Sequence, residues 1–249
     1  MDCKVGRLIF FLILISGCGM KQQERLKTGD QTIKEIILVN GGTSDRCQMG
    51  ELVQSISKCK PKVIGVNFLF VGEKGGKCDS ILQQAIIDSE KVVLAEGMEN
   101  GNHIESSDLF SSSAMLTGIT GLAQNNNGII ESYVRVTDDR GKWVFSFPFH
   151  LALQYEKNRA SELVAKSPSK PYPIIASYSL GDFKTINDVT TISKNCSEIE
   201  GKIVLIGYLG PGDEDVFKAR ITKNSSGKVF GTVILANVIV DILSDLDKN

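Results

Sequence analysis

The chain of 249 residues has only two histidines, one tryptophan and six prolines, and contains no Gly-x-Ser-x-Gly turn. Each shortage removes a class of function. Without that turn a hydrolase of the serine-elbow type has no nucleophile placed beside a base. His103 sits in a polar run with Asn100, Gly101 and Asn102, His150 sits in an aromatic run, and neither has a partner at zinc-ligand spacing, so no metal and no cofactor is expected. The 28 basic and 29 acidic side chains give a net charge of −1 with no basic block, which excludes a nucleic-acid footprint. The glycines at 207, 210 and 212 follow an apolar run, but Pro211 removes an amide and Asp213, Glu214 and Asp215 would repel phosphate. That acidic trio has the chemistry of a hard-cation loop, although a solvated acidic turn is the simpler reading. Beyond the N-terminus no apolar run is long enough to span a bilayer.

The N-terminus carries Lys4 and Arg7, an apolar run over residues 8–15, and then Ile15, Ser16, Gly17 and Cys18. A charged start, a short apolar stretch and small residues before the break have the form of a secretory signal. The last four residues resemble a bacterial lipobox, which implies cleavage after residue 17 and acylation of Cys18. The alternative is an uncleaved anchor helix over residues 5–20, but its apolar stretch of about eleven residues falls short of the roughly 17–25 that a spanning helix needs. Deleting Asp2, Lys4 and Arg7 with the signal moves the net charge from −1 to −2. Residues 18–30 are polar and are expected to form a tether, with the domain over 31–246.

Residues 33–39 form an isoleucine-rich run ended by Asn40, Gly41 and Gly42, which reads as a buried strand. Residues 47–58 carry Met49, Leu52, Val53 and Ile56 at helical spacing; 63–70 reads as a second strand, 79–89 as a second helix and 91–95 as a third strand. This alternation predicts an α/β fold with a central, mostly parallel sheet flanked by helices. Residues 128–137 and 142–147 flank the turn chemistry of Asp138, Asp139, Arg140 and Gly141, which predicts an inserted antiparallel hairpin. A helix is expected over 149–158, a surface excursion over 160–173, strands over 174–178 and 203–207, and a closing helix over 232–246.

Four cysteines remain beyond the anchor, and an oxidising compartment allows three pairings of Cys47, Cys59, Cys78 and Cys196. Cys47 and Cys78 each open a helix that follows a strand, which puts both at one edge of the sheet. Cys59 and Cys196 each precede a strand, which puts both at the other. The expected disulfides are therefore Cys47 with Cys78 and Cys59 with Cys196, against the alternative of four buried thiols.

The run from Pro61 through Val66, Asn67 and Phe70, then Asp79 with its helix and Val92 to Ala95, is similar to the first half of the second class of CHASE domains. These are extracytoplasmic sensory modules of bacterial cyclases and histidine kinases. Asn127 and Gly128 before the hairpin, Phe147 to Leu153, Gly201 to Gly207, Asp215 to Phe217 and Gly231 to Asn237 follow in the family's order. Asn40, Asn67 and Asn127 stand where the family tends to place aspartates, Leu235 stands where a histidine is frequent, and no proline follows in residues 219–222. Those substitutions remove the carboxylates on which an inherited cation site would rest. Family members usually continue into transmembrane helices and an output domain, so a chain ending at Asn249 is expected to be a sensor without its own output.

Ligands of open α/β sheets bind beyond the carboxyl ends of the strands. That edge would gather Asn40, Glu73, Glu96, Asp213 and Asp215, the candidate ligand-binding residues. The expected protein is a non-enzymatic lipoprotein of the bacterial envelope, held extracytoplasmically by its lipid and binding a small ligand or an envelope partner. A structural or assembly lipoprotein is the alternative, and a hydrolase with an unrecognised site a third.

Overall fold

The structure is a computed structural model, and it describes residues 33–99, 102–139, 142–167, 170–212, 215–219 and 227–246. The expected signal, Cys18, the tether and Asp213 lie outside the described residues. In chain order the elements are β1 (Ile33–Asn40), α1 (Arg46–Lys58), β2 (Val63–Val66), α2 (Lys77–Ser89), β3 (Val92–Glu99), β4 (Asn102–Ile104), α3 (Asp108–Ser111), β5 (Leu116–Ile119), β6 (Leu122–Gln124), β7 (Ile130–Val134), β8 (Val136–Asp139) and β9 (Lys142–Phe145). They continue with α4 (Phe147–Tyr155), α5 (Ala160–Ala165), β10 (Pro171–Pro173), β11 (Phe183–Ile186), α6 (Cys196–Ile199), β12 (Ile203–Gly207), β13 (Val216–Lys218), β14 (Lys228–Phe230) and α7 (Gly231–Ser244).

The central sheet runs β11-β1-β12-β2-β3 and is parallel throughout. Beyond β3 it forks: β5 pairs in parallel with Val93 to Glu96, and β4 pairs antiparallel with Gly97 to Glu99. The strands are apolar on both faces, and their alternate residues enter different cores. Ile37 and Val39 of β1 pack with Met49, Val53 and Ile56 of α1 and Leu82 and Ile86 of α2. Ile36 and Leu38 pack on the opposite face with Phe147 and Leu151 of α4 and Leu235 and Ile239 of α7.

Helix α7 is nearly enclosed, because its second face carries a further core. Ile234, Val238 and Ile242 meet Phe149 of α4 and Tyr133 of β7, and β7 belongs to a small antiparallel sheet, β10-β7-β6. A helix that is apolar on most of its circumference is a buried helix, and eleven of the fourteen residues of α7 are buried. Each buried Leu, Ile or Val contributes about 1.5–3 kcal/mol relative to exposure, so this helix joins the sheet to the outer layer.

Two disulfides close the sheet edges. Cys47 and Cys78 join the first turns of α1 and α2 with Cα atoms 4.4 Å apart, and Cys59 and Cys196 join the end of α1 to α6 with Cα atoms 4.6 Å apart. Helix α1 starts on a capping box, with Asp45 accepting from the Gln48 amide at 2.9 Å and Gln48 accepting from the Asp45 amide at 2.9 Å.

Several local expectations are corrected. The strand expected over 63–70 ends at Val66, because the chain turns across the sheet edge there. The hairpin is formed by β8 and β9, while the residues before it split off as β7 and pair with β6 and β10. Helix α4 begins at Phe147, with Pro148 in its first turn, and ends at Tyr155. The excursion over 160–173 contains α5 and β10.

Residues 174–178 are not a strand. Their amides are paired by side chains of α7 instead: Asp241 accepts from Ile175 at 2.7 Å and from Ala176 at 2.8 Å, and Asn237 accepts from Tyr178 at 2.8 Å. Asn237 also donates to the Tyr178 carbonyl at 3.0 Å. Two polar residues on an otherwise apolar helix thus substitute for a neighbouring strand. The sheet position expected for that run is filled by β11.

Candidate functional site

Strands β1, β2, β3, β5 and β12 end at one edge, and the connections that leave them surround a cavity of about 470 Å³. Gly42 and Thr43 follow β1, Asn67, Phe68 and Leu69 follow β2, Ala95, Glu96 and Gly97 belong to β3, Thr120 follows β5, and Tyr208 follows β12. Asp215 closes the wall from the segment before β13. This size lies in the range of about 300–1,000 Å³ usual for small-ligand pockets, which are mostly apolar with a few placed polar groups.

Backbone pairing sets the walls. The Asn67 amide donates to the Ile206 carbonyl at 2.8 Å, one step past the β2–β12 ladder, before the chain turns away. The Phe68 ring then lies directly over Gly41, where a Cβ would stand 2.7 Å from the ring. Leu69 lies over Gly97, where a Cβ would stand 3.0 Å from its Cδ1. Glycine just after β1 and at the fork of β3 lets the large side chains close against backbone.

The loop beyond, residues 71–76, is fastened from the helices. Arg46 donates to the Gly72 carbonyl at 2.7 Å and to the Val71 carbonyl at 3.2 Å, and forms a buried ion pair with Asp79 at 2.6 Å. Asp79 also accepts from the amides of Lys74 at 2.9 Å and Gly75 at 2.8 Å. The hydrogen bond from Arg46 holds the Asp79 carboxyl below its ordinary range despite burial.

Two carboxylates line the cavity, Glu96 and Asp215. Glu96 is 6 % exposed and meets His103 Nε2 at 2.9 Å, while His103 Nδ1 lies 3.3 Å from Glu105. Asp215 adopts a left-handed φ of 55° and faces the first turn of α7, where a Cβ on Gly231 would stand 2.6 Å from its Oδ1. Asn67 Nδ2 donates to it at 3.3 Å. Burial raises the Asp215 carboxyl to about 6, offset only in part by hydrogen bonds from Thr232 near the start of that helix.

Of the residues expected at this edge, Glu96 and Asp215 line the cavity together. Asn40 stands beside it with its carboxamide turned inward, accepting from the amides of Gly42 at 2.9 Å and Leu209 at 3.0 Å, so it shapes the two loops and does not enter the cavity wall. Glu73 is exposed on the fastened loop and is not among the lining residues. Thr43, Phe68, Leu69, Thr120 and Tyr208 were not expected in the site. Their common signal is position, since each lies within three residues of a strand's carboxyl end. Tyr208 also closes its own turn by donating to the Pro211 carbonyl at 2.7 Å.

Among the described residues, the only grouping of carboxylate, thiol and imidazole atoms close enough to share an ion is Asp45 with Cys47 and Cys78, and both sulfurs belong to the disulfide. No helix among the described residues is long and apolar enough to cross a membrane. His150 stacks edge-on against Phe145, and burial lowers its imidazole to about 4.

No curated protein and no solved structure matches the chain. A family model does match, over residues 27–249, that of the CHASE2 domain, a family of extracellular sensory domains. On that match, together with the parallel sheet and its disulfide-closed edges, the chain belongs to the CHASE2 domain family.

Proposed function

We propose that this CHASE2 domain works as a lipid-anchored sensory lipoprotein of the bacterial envelope, and that it binds a small ligand in the cavity at the carboxyl edge of its sheet. The observation that carries the reading is the cavity of about 470 Å³, walled by five strand ends and containing Glu96 and Asp215. Acylation of Cys18 supplies the anchor, residues 18–30 the tether, and two or more acyl chains make the attachment stable. A ligand shifts the domain toward whichever arrangement of the loops it binds better, and that surface is presented to an envelope partner.

A second reading, a lipoprotein that makes only protein contacts, draws support from Leu69, Val71 and Met98. They are 43 %, 61 % and 54 % exposed on the loop and strand that carry the cavity.

One screen separates the two readings. The full-length chain in mild detergent is tested by thermal shift against a small-metabolite library, alongside Thr43→Trp, which places a bulky ring at the exposed rim of the cavity. A compound held at a hundred times its dissociation constant stabilises by about 2.7 kcal/mol. Hits that Thr43→Trp abolishes support the sensing reading, and a library without such hits overturns it. Cys18→Ser should lose radiolabelled palmitate and membrane attachment; retention of both would overturn the lipoprotein assignment.

A further inference from the structure

We propose that the strand-end cavity selects a small organic amine, a cationic ammonium on a compact apolar body. This rests on the reading of the cavity as the ligand site and adds the ligand's class.

The charge pattern is one-sided. Glu96 and Asp215 line the cavity, and among the described residues no lysine or arginine does. His103 stands behind Glu96, but its other nitrogen faces Glu105, so even a protonated imidazole leaves the group of three carboxylates and one cation net negative. A carboxylate or phosphate ligand would meet no lysine or arginine among the described lining residues, and two acids to oppose it. An ammonium would meet charge-assisted acceptors in a partly dry site, where such bonds are about twice as strong as neutral ones.

The remaining wall suits an organic cation more than a metal ion. Phe68, Leu69 and Ala95 are apolar, and Phe68 and Tyr208 bring aromatic rings to the wall, the side-chain type that attracts organic cations. Calcium takes six to eight oxygen ligands at about 2.3–2.6 Å. Glu96, His103 and Asp215 form no ion-sharing group among the described residues. The cavity is also far larger than a bare ion requires, and its apolar lining has no use unless the ligand brings apolar surface to cover it.

The test compares ligands matched in shape and different in charge. The full-length chain in detergent is titrated by calorimetry and thermal shift with phenethylamine, 2-phenylethanol and phenylacetate, with the pentyl amine, alcohol and acid, and with calcium chloride, all at equal ionic strength. The expected result is that an amine binds and its matched alcohol and acid do not, and that Glu96→Gln and Asp215→Asn each weaken the amine at least tenfold. Asp215→Asn keeps the shape and acceptor of the carboxyl, so one variant remains informative if Glu96→Gln does not fold. An alcohol or acid that binds as well as the amine, and is blocked by Thr43→Trp, overturns the amine assignment and leaves the cavity as a ligand site. Calcium binding lost in both carboxylate variants overturns it in favour of a metal. No response from either amine overturns it as well, and the library screen with Thr43→Trp then decides separately whether the cavity binds anything.

Discussion

Arg46 and Asp79 form a buried ion pair immediately beside the Cys47–Cys78 disulfide, so the first turns of two helices are tied twice at adjacent residues. The two ties differ in purpose. The disulfide holds α1 to α2, whereas the guanidinium and carboxylate also reach out to Val71, Gly72, Lys74 and Gly75 and hold the loop that leaves the cavity wall. Arg46→Ala is therefore expected to lower thermal stability and to free this loop, read as new proteolytic cleavage within residues 71–76. Arg46→Lys should rescue only part of the loss, since an ammonium cannot reproduce the planar fork that serves a carboxylate and two carbonyls at once. Cleavage that stays unchanged in Arg46→Ala would show that the disulfide alone positions the loop.

The disulfides should contribute separately. They close loops of 31 and 137 residues, for which chain entropy gives at most about 4 and 5 kcal/mol. Thermal melts with and without reductant should show a large loss, with Cys59→Ser/Cys196→Ser costing at least as much as Cys47→Ser/Cys78→Ser. The reverse order would mean that strain or structure in the unfolded chain outweighs loop entropy.

Asp241 is the acceptor for amides of the run over 174–178 that sequence pattern assigns to the sheet. Asp241→Ala takes this acceptor from the part-buried amide of Ile175 and the buried amide of Ala176, and a buried donor that loses its acceptor costs about 1–3 kcal/mol. A loss of about 1–3 kcal/mol is expected in denaturant titration, with faster hydrogen exchange at those two amides. Asp241→Asn keeps an acceptor and should lose less. Equal losses in both variants would locate the effect in the charge.

The same contact shows where sequence pattern stops being informative. The continuous apolar runs within residues 33–39 and 203–207 identify sheet strands because both faces there meet apolar helices, and the pattern records that burial directly. Residues 174–178 are equally apolar in part, but their partners are Asn237 and Asp241, some sixty residues away on a helix. No local signal carries that pairing. Residues 67–70 mislead for another reason: Phe68 and Phe70 are apolar because they cover a cavity wall and a helix, after the strand has already ended. The cysteine pairs were legible because their place depends only on strand and helix order. Glu73 was not, because the direction of its loop is set by Arg46 and Asp79 from two other elements.

Gly41 sets the position of the Phe68 ring. An added Cβ would stand 2.7 Å from the ring and 3.2 Å from Ile206, so Gly41→Ala must push the ring toward the cavity. Overpacking of this kind costs about 1–3 kcal/mol in a tight core, but here the ring has the cavity to move into. The expected outcome is a modest change in melting temperature and a large loss of ligand affinity, measured on whichever compound the library identifies. A large stability loss with unaltered affinity would show that the ring does not yield toward the cavity.

Two buried groups give the stability opposite pH dependences. His150 has its imidazole lowered to about 4, below the ordinary 6.5. Its folded state binds fewer protons than the unfolded chain, so its contribution is complete above about 6.5 and is lost as pH falls toward 4. Asp215 is raised to about 6 from 3.8. Its folded state holds the proton more tightly, so its contribution is complete below about 3.8 and is lost as pH rises toward 6. Between pH 4.5 and 6 the two slopes oppose each other, and the wild-type melting temperature should change little for these groups' sake. His150→Gln removes the acid-side loss and leaves Asp215, so its melting temperature should rise on acidification relative to wild type. Asp215→Asn removes the penalty of a buried charge: it should melt above wild type at pH 8, converge with it near pH 4, and fall more steeply between. Melting curves of the three proteins at half-unit steps from pH 4.5 to 8 read both effects, and parallel curves would show that neither group titrates within the fold in that interval.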